Sequence, residues 1–104
     1  MKKIIDGIRY DTEKATEIGS ASYSNRSDFH HWDESLYKAP RSGRFFIAGE
    51  GGPLSRWSKA IDRNSWSGGS GIISVEPEQA REWCEQYLDG DDWSEHFADQ
   101  IQDA

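Results

Sequence analysis

The stretch from Glu76 to Gly90, EPEQAREWCEQYLDG, restricts the fold more than any other part of the chain. Ala80, Trp83, Cys84, Tyr87 and Leu88 recur at i, i+3, i+4, i+7 and i+8, which places them on one face of an α-helix. Pro77 suits a first turn, where its missing N–H has no intrahelical partner, and Gly90 stands where a chain leaves a helix. The start, SVEPEQ, offers Glu and Pro where a serine cap is the expected choice. Such a helix must bury its stripe against something, and the preceding residues supply strands.

KIIDGIRYDT reads as a β-hairpin, because Asp6-Gly7 tolerates the positive φ of a two-residue turn. That turn pairs Ile5 with Ile8 and sets Lys3 and Tyr10 beside them. Asp11 or Thr12 then caps a short helix, TEKATEI, ended by Gly19. Residues 20 to 35 read as a polar surface excursion pinned by Tyr23, Phe29 and Trp32, with a short strand near Phe29 to Trp32. SLYKA and GRFFIAG form a second hairpin through PRSG, whose Pro40 and Gly43 suit a tight turn. Gly49, Gly51 and Gly52 mark a sharp exit from that strand, and PLSRWSKAI begins a short helix. NSWSGGSG is a loop, and GIISV is another strand. After the main helix, DDWSEHFADQI predicts a second one, with Asp92 and Glu95 in capping-box spacing and Trp93, Phe97 and Ile101 on one face. The expected architecture is a single α+β domain over residues 1–104, in which a small antiparallel sheet of four to five strands, built from hairpins, packs against C-terminal α-helices.

Hydrophobic residues make up only 35% of the chain, but five Trp, four Tyr and four Phe bury large areas from few positions. No apolar run reaches the length of a membrane span, and MKKIIDGIRYD turns polar too early for a signal peptide, so a cytoplasmic protein is expected. Cys84 is the sole cysteine, which excludes an intramolecular disulfide and a cysteine-rich zinc site. Within the apolar stripe it reads as a small buried hydrophobe with a raised pKa rather than a nucleophile.

Two further clusters invite chemistry and decline it. GEGGPLS resembles a phosphate loop only in its glycines, since Glu50 repels an anion, Pro53 removes a donor and no lysine follows. DFHHWDE offers Asp28, His30, His31, Asp33 and Glu34, but adjacent histidines on a strand point to opposite faces, and His96 lies far along the sequence. The expectation is no cofactor, no metal and no enzymatic activity. Carboxylate pairs are abundant, yet the pairs that can be placed lie on solvent-facing helix sides, where the pKa shifts of acid–base catalysis do not arise.

The distribution of charge is more informative. The net charge is −7, and the residues from Glu76 onward hold ten acids against one base, Arg81, while the first 75 hold eleven bases and nine acids. Glu78, Glu82, Glu85 and Asp89 form a stripe opposite the apolar one, and Asp92, Glu95, Asp99 and Asp103 repeat it. At 1.5 Å per residue the first stripe spans about 16 Å with a charge every 5 to 6 Å or so, a density approaching that of a nucleic-acid strand. An ordinary surface helix carries compensating Lys at i+4, and this one lacks it. Such a surface repels nucleic acid and attracts basic protein surfaces.

In order and spacing, KKIIDGIRYDT, LYKAPRSGRFFIAGEGG, GGSGIISV and EQAREW resemble a group of small, mostly uncharacterised proteins of bacterial phages, plasmids and integrated elements. The likeness covers most of the chain apart from residues 20 to 33 and the last dozen. Some proteins of this size, acidity and setting are anti-CRISPR proteins, which bind Cas subunits and block target recognition. The resemblance carries no catalytic residue. It implies a non-enzymatic inhibitor, in a bacterial cytoplasm, that docks on a basic nucleic-acid-binding surface of a defence complex, a Cascade-type effector foremost. Glu78, Glu82, Glu85, Asp89, Asp92, Glu95 and Asp99 would supply charge, and exposed aromatics among Trp32, Trp57 and Trp66 would supply anchors. Arg41, Arg44, Arg56 and Trp57 are expected at the surface. The alternatives are a regulatory or interaction module of a mobile element, and a small ligand-binding or enzymatic domain using residues 28 to 34 with the glycine loop.

Overall fold

A computed structural model describes residues 1–104. It contains β1 (Lys2–Ile5), β2 (Ile8–Asp11), β3 (Thr16–Tyr23), β4 (Trp32–Lys38), β5 (Phe45–Gly51), β6 (Lys59–Asp62), β7 (Ser65–Ser67), β8 (Gly69–Val75) and α1 (Pro77–Tyr87), with 3-10 turns at Thr12–Lys14 and Asp92–Phe97. β3, β4, β5 and β8 form an antiparallel four-stranded sheet in that order, and β1–β2 and β6–β7 are separate hairpins. The class is α+β with one α-helix. No helix is long and apolar enough to cross a membrane.

β5 organises the layers. Its FFIAG run is buried on both sides, because alternate residues enter two different clusters. Phe45 and Ile47 join Leu36, Trp57, Ala80, Trp83, Cys84 and Phe97, and Phe46 and Ala48 join Tyr10 and Ile72. The first cluster contains the apolar stripe of α1. The second contains Tyr10 of β2, against which Ile5 and Ile8 also pack, so the β1–β2 hairpin covers the opposite face. Asp6 and Gly7 have φ of 51° and 79°, and Ile5 pairs with Ile8 and Lys3 with Tyr10, as the Asp-Gly turn requires. α1 begins at Pro77, and the Glu76 N–H donates to Gln79 Oε1 at 2.8 Å, so Gln79 supplies a cap contact in place of serine.

Three expectations are corrected. The helix over TEKATEI is a single 3-10 turn: Asp11 does cap it, accepting from the Glu13 N–H at 3.0 Å, but Thr16–Tyr23 then runs as an edge strand. Ala15 and Ile18 provide too little apolar surface to hold a helix, whereas Gly19, Ala21 and Tyr23 alternate toward the α1 side and pair with β4. Residues 20–23 and 32–35 are therefore sheet, and the polar excursion is confined to residues 24–31, with no strand at Phe29. PLSRWSKAI is also not helical: Ser55 Oγ donates to the Gly52 carbonyl at 2.8 Å and accepts the Trp57 N–H at 3.2 Å, and this tight turn leads into β6. The second C-terminal helix is a six-residue 3-10 segment without a side-chain cap. Phe97 anchors it by stacking on Phe45 at 4.9 Å, and Ile101 lies beyond it, exposed.

Of the glycines after Ile47, Gly51 and Gly52 stand where β5 ends and the tight turn begins, whereas Gly49 belongs to a platform. Gly49 and Gly71 are directly paired across β5 and β8, and the Trp57 ring lies over both. A Cβ on Gly49 would stand 2.5 Å from Trp57 Cζ2, whereas one on Gly71 would stand 3.7 Å from Cζ3. Gly49→Ala is expected to cost about 1–3 kcal/mol by overpacking. In a chain of this size that lowers the thermal midpoint by about 4–8 °C per kcal/mol. Gly71→Ala should stay within about 0.5 kcal/mol of wild type. Circular-dichroism melts of the two variants check this, and equal midpoints would refute the platform.

Candidate functional site

Trp32, Glu34 and Leu36 alternate along β4 toward the α1 side of the sheet, so a carboxylate stands in an otherwise apolar row. Glu34 is 5% exposed and its two oxygens are fully engaged. Arg56 donates Nε–H to Oε2 at 2.7 Å and Nη2–H to Oε1 at 2.6 Å. The indole N–H of Trp57 reaches Oε2 at 2.8 Å and that of Trp83 reaches Oε1 at 3.0 Å. Burial by itself would raise the Glu34 pKa; the bonds from Arg56, Trp83 and Trp57 outweigh it and hold the group below its ordinary 4.5. A carboxylate so saturated is a structural acid with no lone pair left for a substrate.

Beside it lies an open groove of about 780 Å³ between α1 and the turn that carries Arg56. Ile47, Ile73 and Val75 line it together with Tyr23, Trp32 and Tyr87, and Glu82 stands on its α1 wall. Tyr23 and Trp32 stack with centroids 6.4 Å apart, and Tyr87 meets Trp32 edge to face at 5.1 Å.

The first three acids of the main stripe behave as their spacing demands. At about 100° per residue Glu78, Glu82 and Glu85 fall within about 60° of one another, opposite Ala80, Trp83 and Cys84, whereas Asp89 lies past the end of α1, after the extended Leu88. All four are exposed, as are Asp92, Glu95, Asp99 and Asp103. Two local contacts temper the stripe: Arg81 pairs with Glu85 at 2.5 Å, and His96 lies 3.6 Å from Glu95.

Other candidates separate. Trp57, expected as an exposed anchor, is 6% exposed and committed to Glu34 and the glycine platform. Trp66 is exposed and Trp32 half-buried; Arg41, Arg44 and Arg56 reach the surface, with Arg56 held by Glu34. In DFHHWDE, Asp28 accepts the His30 backbone N–H at 2.8 Å and the Ser24 hydroxyl at 2.9 Å, which depress its pKa. His31 Nδ1 bonds the Asp28 carbonyl oxygen at 2.7 Å, and Asp33 and Glu34 point to opposite sides of β4. No three of these side chains converge as metal ligands. Cys84 is buried, and desolvation, with a smaller contribution from Glu85, raises its pKa to about 11.

Sequence reasoning missed the Glu34 cage, although WDESLYK contains its signal: if Trp32 and Leu36 face inward on a strand, Glu34 must as well. Glu34→Gln replaces one oxygen with an amide NH2 that faces Arg56 and one of the two indoles, removes the charge that balances Arg56, and should cost about 2–4 kcal/mol in urea unfolding at neutral pH. Because the native pKa lies below 4.5, the wild-type advantage is complete above pH 4.5 and shrinks as pH falls through the native value. An advantage that persists undiminished in strong acid would refute the assignment. Alkylation of Cys84 at mildly alkaline pH should track unfolding, with little modification of the native chain. Compared with protein-family models, with curated proteins and with solved structures, the chain matches none.

Proposed function

We propose that this protein is a non-enzymatic inhibitor that lays its acidic C-terminal face on a basic, nucleic-acid-binding surface of a bacterial defence complex. The observation that carries the reading is the stripe of Glu78, Glu82, Glu85 and Asp89, all exposed, with Arg81 as their one cationic partner. Left unneutralised, these charges repel one another along the helix, and a cationic partner relieves that repulsion. Asp92, Glu95 and Asp99 extend the negative field beyond the end of α1.

The Cascade-type effector as target rests on the sequence resemblance to small proteins of bacterial mobile elements, since some proteins of this size, acidity and setting are anti-CRISPR proteins; the chain would then block the surface that recognises target DNA. Two features favour binding over catalysis. The buried carboxylate is saturated, and the cysteine is buried and held as a thiol. Exposed charges act mainly on association rate and salt dependence, while aromatic contacts hold the complex together.

The test is competition on a purified type I effector with labelled target duplex, read by electrophoretic mobility across a salt series. The protein should displace DNA at low salt and progressively less as salt rises. Combined Glu78→Gln, Glu85→Gln and Asp89→Asn substitutions should weaken it about tenfold and flatten the salt dependence, with an unchanged thermal midpoint. Displacement by this variant equal to wild type at every salt would refute the acidic-face reading.

A further inference from the structure

α1 covers only part of its side of the sheet, and the uncovered part is the groove floored by Ile47, Ile73 and Val75. Its aromatic end is built from three elements: Tyr23 on β3, Trp32 opposite it on β4, and Tyr87 in the last turn of α1. These rings touch one another yet remain open to water, Tyr23 at 52% exposure and Tyr87 at 38%. Aromatic surface beside a concavity is the usual seat for a partner's anchoring side chain.

Charge decides which side chain fits. Arg56 is the one arginine or lysine on the groove wall, and Glu34 neutralises it through the Nε–Nη2 edge of its guanidinium. His30 contacts Asp28 at 3.3 Å. Glu82, by contrast, pairs with no cation, and its neighbours on the groove side of α1 are the neutral Gln79 and Gln86. The unspent charge is therefore negative, and it lies beside ring faces that are themselves electron-rich. Both features favour a cation and disfavour a phosphate or carboxylate.

We propose that this groove receives an arginine side chain of a protein partner, its guanidinium lying against the Trp32 and Tyr87 rings with Glu82 as counter-ion. The molecule already contains the same arrangement internally: Arg56 lies 5.4 Å from the centre of the Trp57 ring while a carboxylate grips its Nε–Nη2 edge. A planar, weakly hydrated guanidinium suits such a seat better than the compact, strongly hydrated ammonium of lysine. The inference rests on the reading of the chain as a binder of basic protein surfaces and adds its anchor: the outer stripe draws the partner in, and the groove selects a residue.

The probe is a short peptide of alternating glycine and arginine, with a counterpart carrying citrulline, neutral and nearly isosteric, in place of arginine. Calorimetric titration of the whole protein at physiological salt should show the arginine peptide binding at least about tenfold more tightly. Glu82→Gln, which removes one charge, should weaken it more than the combined Glu78→Gln, Glu85→Gln and Asp89→Asn variant, which removes three. Tyr23→Ser and Tyr87→Leu, which remove none, should each weaken it several-fold; thermal melts identify any variant that has lost its fold, and Tyr23, on an exposed edge strand, is the safer of the two. If arginine and citrulline peptides bind alike, or the triple variant loses more than Glu82→Gln while the ring variants match wild type, the groove is not the seat. Loss of arginine selectivity in Glu82→Gln, combined with unchanged DNA competition by the triple variant, would uphold the groove and overturn the acidic-face reading instead.

Discussion

Four hydrogen bonds converge on the carboxylate of Glu34, and they join segments that are far apart in the chain. Arg56 and Trp57 come from 22 and 23 residues away and Trp83 from 49. Taking an ionised carboxylate out of water costs several kcal/mol unless partners replace its hydration. Here a guanidinium and two indole N–H groups replace it, so β4, the turn after β5 and α1 must all be in place before the charge is tolerable. The requirement also works in reverse. Buried indole N–H groups need acceptors, and Trp57 and Trp83 find theirs in the same carboxylate, which lets two large rings enter the core without an orphaned donor.

The platform under Trp57 follows from this cage. To reach Glu34 Oε2 the indole lies flat on the sheet, and the missing side chain at Gly49 makes the room, since a Cβ there would stand 2.5 Å from the ring. Gly71, opposed to Gly49 across β5 and β8, lies under the far edge of the ring at ordinary contact distance. The sheet carries α1 and Trp57 on one side and the β1–β2 hairpin on the other. The two surfaces proposed for recognition are the outer side of α1 and the groove between α1 and the Arg56 turn. These adjoin, and Glu82 belongs to both, which is why long-range attraction and local selectivity can act on a single partner.

Legibility in the sequence divided according to how local the deciding physics is. The Asp6-Gly7 turn, the β4–β5 hairpin around Pro40 and Gly43, β8 and α1 are set by nearby residues, through turn chemistry and periodicity, and they stand where the sequence places them. Residues 12–18, TEKATEI, read as a helix because Glu, Lys and Ala favour one locally, but pairing of Thr16–Tyr23 with β4 outweighed that weak preference. Residues 53–61 read as helical, but Ser55 closes a tight turn and the chain runs on into β6. Glu78, Glu82 and Glu85 were legible as well, because their common face depends only on the period of the helix that displays them; Asp89 falls past its end.

Sequence alone thus determined the α+β class, the helix that carries the acids, and the improbability of a cysteine nucleophile. Tertiary structure decided which aromatic residues are anchors and which are core. Trp57 and Trp32 look alike in the sequence, each among polar neighbours. Trp57 is withdrawn to a glycine platform and a buried carboxylate more than twenty residues away, and Trp32 is left at the groove beside Tyr23 and Tyr87. The reason is that a side chain's exposure depends on what long-range packing brings against it, and a glycine pair across two strands leaves no mark at the tryptophan's own position in the chain.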